Sequence, residues 1–482
     1  MWEAALIREV VAYIKTLTKR VTPTGCVYVA VDGVAPMAKI RQQRARRFKS
    51  AAMAAEEASA RGQTQGVERW DSNAITPGTQ FMAQLAIALH DIKQINQVPV
   101  IVSAADEAGE GEQKIMAWLR ETKWRDVVVY GLDADLIVLA LLEHARSGRT
   151  VDLFREETEF GGAVKRDATG EEQYLYLHAE HLATALHAAW SAPGRPKADF
   201  LMDFVGAMNL LGNDFVPHGM GLKIHDQGIE RVLGILRGFQ TPLVAAPGAD
   251  TPTATYNRPT LAALLSVLEA GEEAAVLRGA KKKLEARVGA TAAKDEVSRA
   301  LARLNDRPVE WAAEKVLVES VAIAGHEKPQ WVMRSAWREA YYKHGLAGAV
   351  PADAARAYIQ TLSWTLNYYC GTPVATTWYY PWLLPPLLRD VVACLDVEQP
   401  PAAAPCITNR PLQPLEQLAM VLPRTSFHLL PRELQTLPTR YPFAWPERWD
   451  YFSLGRRFLW ECEPLIPLVQ PAQIQRWVDE CL

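Results

Sequence analysis

Between Val27 and Ala145, short runs rich in Val, Ile and Tyr alternate with longer stretches of helical character: VYVAVDG, KIRQQRARRFKSAAMAAEEA, QFMAQLAIALHDI, PVIVSA, EQKIMAWLRE, DVVVYG and LIVLALLEHA. This alternation constrains the chain strongly, because parallel strands need long crossovers and a helix laid on a sheet face is the usual one. The expected fold is α/β, a parallel-sheet core with helices on both faces. Acidic residues recur where the strands end: Asp32 after VYVAV, Glu110 after VIVSAADEAG and Asp133 after VVVYGL. The carboxyl edge of such a sheet is where ligands bind.

With 482 residues the chain exceeds what one core supports, roughly 250–300 residues, so more than one lobe is expected. Residues 241–259 are rich in Pro, Ala and Thr without periodicity and read as a linker or exposed loop. The Ala/Leu/Glu/Lys-rich stretch that follows reads as helices with solvated faces. Beyond Trp331 the sequence is helical, aromatic and interrupted by prolines, a mainly helical C-terminal lobe. The expected division is 1–238, 239–308 and 309–482.

No apolar run approaches the ~20 residues of a membrane span, and the start lacks a basic signal-peptide region, which points to a soluble intracellular protein. Cys26, Cys370, Cys394, Cys406, Cys462 and Cys481 are scattered without a C-x-x-C pair, so they read as buried or idle thiols and not as a zinc knuckle or disulfide framework. A net charge of −3 gives no global sign of a nucleic-acid binder. Any such site is local.

The acids carry the chemistry. Glu110 and Glu112 sit in GEGEQK, Asp133 and Asp135 in GLDADLIV, Asp32 in AVDG and Asp214 in LGNDFVP, all in largely apolar surroundings. Carboxylates buried side by side are costly unless one takes a proton or a cation intervenes. Oxygen donors without His or Cys suit Mg²⁺ or Mn²⁺ better than zinc. Two such ions can activate water and stabilise the leaving oxygen of an in-line displacement at phosphorus. Just after Asp32, Lys39, Gln43, Arg46 and Arg47 fall within about 100° of arc on one helix face, a donor cluster suited to a phosphate.

VAVDGVAPMAKIRQQRARRF, DSNAITPGTQFM, GEGEQKIM, YGLDADLIVLAL and DFVGAMNLLGNDFVPH, in this order, resemble the first region of the XRN 5′-to-3′ exoribonucleases. WREAYYKH, YIQTLSWTLNYYCGTPVATTWYYPW, PLEQLAMVLP and FLWECEPLIPLV resemble the second, more loosely. The resemblance implies a nuclease core joined to a helical lobe. It implies catalysis through metal held by Asp32, Glu110, Glu112, Asp133, Asp135 and Asp214, and a 5′-monophosphate pocket of Lys39, Gln43, Arg46 and Arg47. It implies that Trp378 stacks on or walls in the RNA, and that Lys114 meets the scissile phosphate or balances the acids. The implied substrate is single-stranded RNA with a 5′-monophosphate, such as decapped messenger RNA, handled by a monomer alongside decapping or processing factors.

The sequence departs from the pattern at Gln113, where the family usually has His, and by one extra residue between Gly371 and Trp378. No Cys/His knuckle occurs in residues 142–211, which leans towards the cytoplasmic type over the nuclear one. The family's first strand, with its own acidic ligand, lies upstream of the part matched by Met1 onwards. The expectation for the chain as given is therefore weak hydrolysis and an open sheet edge at VYVAVDG. The competing readings are a silent RNA-binding relative and a flap nuclease acting on DNA.

Overall fold

The computed structural model describes residues 2–62, 70–131, 133–159, 163–248, 252–288, 295–397 and 410–482. Its N-terminal half runs α1 (Trp2–Val21), β1 (Val27–Ala30), α2 (Met37–Ala60), α3 (Gln80–His90), β2 (Gln94–Ile95), β3 (Val98–Ser103), α4 (Gly111–Glu121), β4 (Asp126–Tyr130), α5 (Ala134–Ser147), β5 (Thr150–Glu156) and β6 (Tyr174–His178). Then come α6 (Ala179–Trp190), α7 (Lys197–Met208), α8 (Gly228–Leu236), α9 (Arg258–Glu269), α10 (Glu272–Leu284), α11 (Glu296–Trp311), α12 (Trp337–Gly345), α13 (Pro351–Cys370), α14 (Leu388–Val397) and α15 (Pro414–Val421).

The expected parallel pairing is present. β1 runs parallel to β3, with Val27 opposite Val100, and β4 runs parallel to β5, with Asp126 opposite Thr150. These pairs belong to two three-stranded sheets among the described residues, ordered β1-β3-β2 and β4-β5-β6, and each acquires one antiparallel strand. The antiparallel β2 arises from a two-residue turn in which Asn96 and Gln97 both adopt positive φ, 52° and 69°, the twist that suits a tight hairpin. β1 lies at the edge of its sheet. Val29, Val31, Val100 and Val102 face the α1–α3 side, against Ile7, Phe81 and Leu85. On the other face Tyr28 stacks on Trp118 of α4 with ring centroids 4.7 Å apart. Helices therefore cover both faces of this sheet.

The lobes share one interior. The largest buried cluster joins Met116 of α4, Leu139 of α5, Val205 of α7, Leu264 of α9, Trp364 of α13 and Val391 of α14. The boundaries at 238 and 308 thus cross a continuous core. Residues 241–259, expected to be a linker or exposed loop, are mostly exposed where described but anchored at a few points. Leu243 and Val244 donate their backbone N–H groups to the buried Asp203 carboxylate at 3.0 and 2.9 Å, and Val244–Ala245 pairs with Thr255–Tyr256. A distant carboxylate holds this segment, and composition carries no trace of it. Residues 249–251 of that segment lie outside the described residues, as does Cys406; the other cysteines form no disulfide among the described residues. Among the described residues no helix is long and apolar enough to cross a membrane.

The C-terminal lobe pins the start of α2. The Met37 N–H donates to the Thr376 carbonyl at 2.7 Å, and the Ala35 N–H to Gln417 Oε1 at 2.8 Å. These contacts satisfy donors that a helix start leaves open. They also fix the helix that carries the basic residues.

Candidate active site

The loops that follow β1 and β3 are zipped together. Gly33 N–H donates to the Gly109 carbonyl and Gly109 N–H to the Val34 carbonyl, each at 2.8 Å. A side chain at position 33 would place its first carbon 1.7 Å from the Glu107 carbonyl oxygen, so only glycine permits this approach. Asp32, at the end of β1, then accepts the Gly111 N–H at 2.6 Å, at the positive end of α4. Glu110 and Asp133 occupy the extended positions just before α4 and α5, with Glu112 and Asp135 in the first turns. Strand ends and helix starts thus carry five of the six predicted acids, three from the first sheet and two from the second.

The sixth arrives through α2. Lys39 Nζ lies 2.8 Å from Glu110 Oε1 and 2.7 Å from Asp214 Oδ2, tying the acids of α4 to the loop after α7. Two tyrosines from α13 complete the arrangement: the Tyr368 hydroxyl donates to Glu110 Oε2 at 2.6 Å and the Tyr369 hydroxyl to Asp135 Oδ1 at 2.9 Å. Sequence reasoning missed both. The available signal was two phenols at the end of an apolar helix, where buried hydroxyls need partners.

The electrostatics match carboxylates that repel one another and lack water. Burial, then Glu110, pushes the Glu112 carboxyl up to about 8. Burial also raises Glu110 against the pull of Lys39, and raises Asp135 against the Tyr369 hydrogen bond. Burial alone would lower Lys39, but Glu110 and Asp214 outweigh it and hold the ammonium charged. The donor set fits a hard cation: it is all oxygen, and it already gathers around one positive charge. Among the described residues no three His, Cys, Asp or Glu side chains form a closed ligand group. Asp32 and Asp133 remain exposed at the rim.

On α2, Gln43 is buried with its Oε1 unpartnered, Arg46 is exposed, and Arg47 donates to Thr76 Oγ1 at 2.5 Å. Burial, then the Arg46 charge, lowers Arg47 to about 10. Lys39, expected in the phosphate pocket with these three, is paired with the two carboxylates within its reach, Glu110 and Asp214. Arg44, unremarked in the sequence, is buried and donates to the carbonyls of Met420 and Ala444, which locks α2 to the C-terminal lobe.

Lys114, expected to meet the scissile phosphate or to balance the acids, donates its ammonium to the Val31 and Ala104 carbonyls at 2.9 and 2.7 Å, which ties the strand ends together. Its neighbour Gln113 has a buried Nε2 without a partner. Trp378 is half-buried against the main core, its indole N–H donating to Thr361 Oγ1 of α13 at 3.2 Å.

Residues 1–157 match the family described as the XRN 5′-3′ exonuclease N-terminus, and residues 330–476 match the Xrn1 helical domain. Human 5′-3′ exoribonuclease 1 is 27% identical over an alignment covering 99% of this chain and 31% of the human protein. The Arabidopsis thaliana 5′-3′ exoribonuclease 2 is 26% identical, over 96% of this chain and 58% of its own length. Saccharomyces cerevisiae 5′-3′ exoribonuclease 1 is 36% identical over 51% of this chain and 17% of its own. The chain therefore spans less than two thirds of these curated relatives. Acids gathered at helix starts, a basic helix reaching into them and a second lobe closing over both agree with matches that fall on either side of the shared core: the chain belongs to the XRN family of 5′-3′ exonucleases.

Proposed function

We propose that this chain is the catalytic core of a 5′-to-3′ exoribonuclease that hydrolyses single-stranded RNA bearing a 5′-monophosphate with the help of Mg²⁺ or Mn²⁺. The observation that carries the reading is the placement of Lys39. Its ammonium joins Glu110 to Asp214, while Gln43, Arg46 and Arg47 follow on the same helix about 6–12 Å further along. A seat for a terminal phosphate and a cation-binding cluster thus lie about one nucleotide apart on one rigid element. That spacing suits an enzyme that grips the end of a strand and cuts the next bond.

Glu110, Glu112, Asp135 and Asp214 would hold the cations, with Asp32 and Asp133 at the rim. Bound divalent cations activate water and neutralise charge on the scissile phosphate. Tyr368 and Tyr369 orient two of the carboxylates by hydrogen bonds. Arg47 and Gln43 bind the terminal phosphate, and Trp378 forms part of the wall. The family resemblance supports decapped or processed RNA as the substrate pool, with decapping or processing factors as partners of a monomeric enzyme.

The test is release of mononucleotides from 5′-monophosphorylated single-stranded RNA in Mg²⁺, beside 5′-hydroxyl RNA and flapped DNA. Cation-dependent release from the first alone is the expected result. Binding without release, or faster cleavage of the flap, would overturn the reading.

A further inference from the structure

On the side of α2 away from Gln43, Arg46 and Arg47 lies a second cleft of about 490 Å³, which begins at Asp214. Its lining includes Arg41, Lys223 and Arg456 together with Tyr379, Trp382 and Trp460. The three cations are unusual. Burial lowers each of them, and among the described residues none has a carboxylate within ion-pair distance. Arg41 donates to the Tyr380 and Pro381 carbonyls, and Lys223 to the Gly455 carbonyl at 3.0 Å. Arg456 donates to His218 Nε2, and its own Nε is buried without a partner. Burial, then Arg456, lowers His218 to about 3, so the imidazole is a neutral acceptor that cancels no charge.

Three acids share the lining, and none forms a direct ion pair with these cations; Asp214 is paired with Lys39. Glu461 Oε2 is held by the Arg457 and Phe458 N–H groups at 2.8 and 2.9 Å, and Glu463 acts on Arg41 and Arg456 only from beyond ion-pair distance. These half-buried cations feel their nearest carboxylates only from beyond ion-pair distance, so an incoming anion can add charge-assisted contacts. Trp460 is 55% exposed at the rim, an aromatic face open to a planar partner. A volume of this size lies within the ~300–1,000 Å³ range of small-molecule sites.

We propose that this cleft binds a nucleoside 5′-monophosphate, its phosphate taken by Lys223, Arg41 and Arg456 and its base by the aromatic rim. The inference rests on the exonuclease reading, since the cleft opens at Asp214, where cleavage would leave such a product. The cleft is then the way out for the product, and the mononucleotide inhibits turnover by lingering there.

The experiment is photolabelling of the chain with 8-azidoadenosine 5′-monophosphate in EDTA, followed by peptide mapping. Label is expected on the peptides bearing Tyr379 or Trp460, displaced by adenosine 5′-monophosphate and at least tenfold less well by adenosine. Lys223→Met should reduce labelling at least tenfold. Trp460→Ala, at an exposed position, provides a second variant whose folding is not in question and should also reduce it. Label confined to the peptide bearing Arg46 and Arg47, or equal competition by adenosine, would overturn the proposal. The assay contains no RNA and reads no turnover, so its failure leaves the exonuclease reading standing, and loss of exonuclease activity does not decide it.

Discussion

Replacing Arg47 by Met separates recognition of the RNA end from general attraction to RNA. The guanidinium sits half-buried beside Arg46, lowered to about 10 by burial and then by that neighbour, and donates to the neutral Thr76 hydroxyl. A charge-assisted bond to a phosphate is worth about 1.5–3 kcal/mol, which corresponds to about one to two orders of magnitude in rate. Met preserves much of the packing volume, so kcat/KM on 5′-monophosphorylated RNA should fall by that factor while the rate on 5′-hydroxyl RNA changes less than threefold. Removing a desolvated cation next to another should leave thermal stability level or raise it in the absence of RNA. The assay is a side-by-side time course on the two RNAs, with a melting curve of each protein. Equal losses on both ends would show that Arg47 contacts the strand generally, and a large drop in melting temperature would show that its role is structural. Either result refutes the reasoning.

Asp135→Asn should abolish Mg²⁺-dependent hydrolysis while keeping the Tyr369 contact; the check is mononucleotide release together with circular dichroism, and retained turnover would remove Asp135 from the cation site. Glu272, lifted to about 8 mainly by burial, is protonated when folded and ionised when unfolded between about pH 4.5 and 8, so stability should fall as pH rises through that window. Denaturation at pH 5 and pH 8 should show a difference on the order of 3 kcal/mol that Glu272→Gln removes. Lys283→Met leaves Glu314 buried without the ammonium 2.9 Å away and should cost about 3–5 kcal/mol in chemical denaturation, whereas an exposed pair such as Arg338–Glu273 should cost under about 1 kcal/mol.

What could be read in the sequence was local. The alternation of strand and helix, the extent of α2 and the acids at strand ends all follow from short-range periodicity and helix starts. The antiparallel strand of the first sheet was hidden because β2 depends on a two-residue turn whose Asn96-Gln97 pair lacks the usual glycine. Lys39 looked like one of a basic set because helix spacing says where a side chain lies on its own helix, and nothing about the carboxylates of another element. The partners of Tyr368, Tyr369 and Arg44 could not be read for the same reason, since they come from remote parts of the chain. Adjacency to an acidic pair set the expectation for Lys114, while its reach to two strand-end carbonyls is a property of the folded loops.

The Tyr368–Glu110 hydrogen bond joins residues 258 positions apart. A ribosome adding about 5–20 residues per second needs roughly 13–50 s to travel from one to the other. Within that interval, from Asp214 onward, the growing polypeptide contains all six acids but neither phenol, and the helix that carries the phenols has not been completed. The nascent protein thus holds its acids without their phenol partners while it remains attached to a strand of its own proposed substrate.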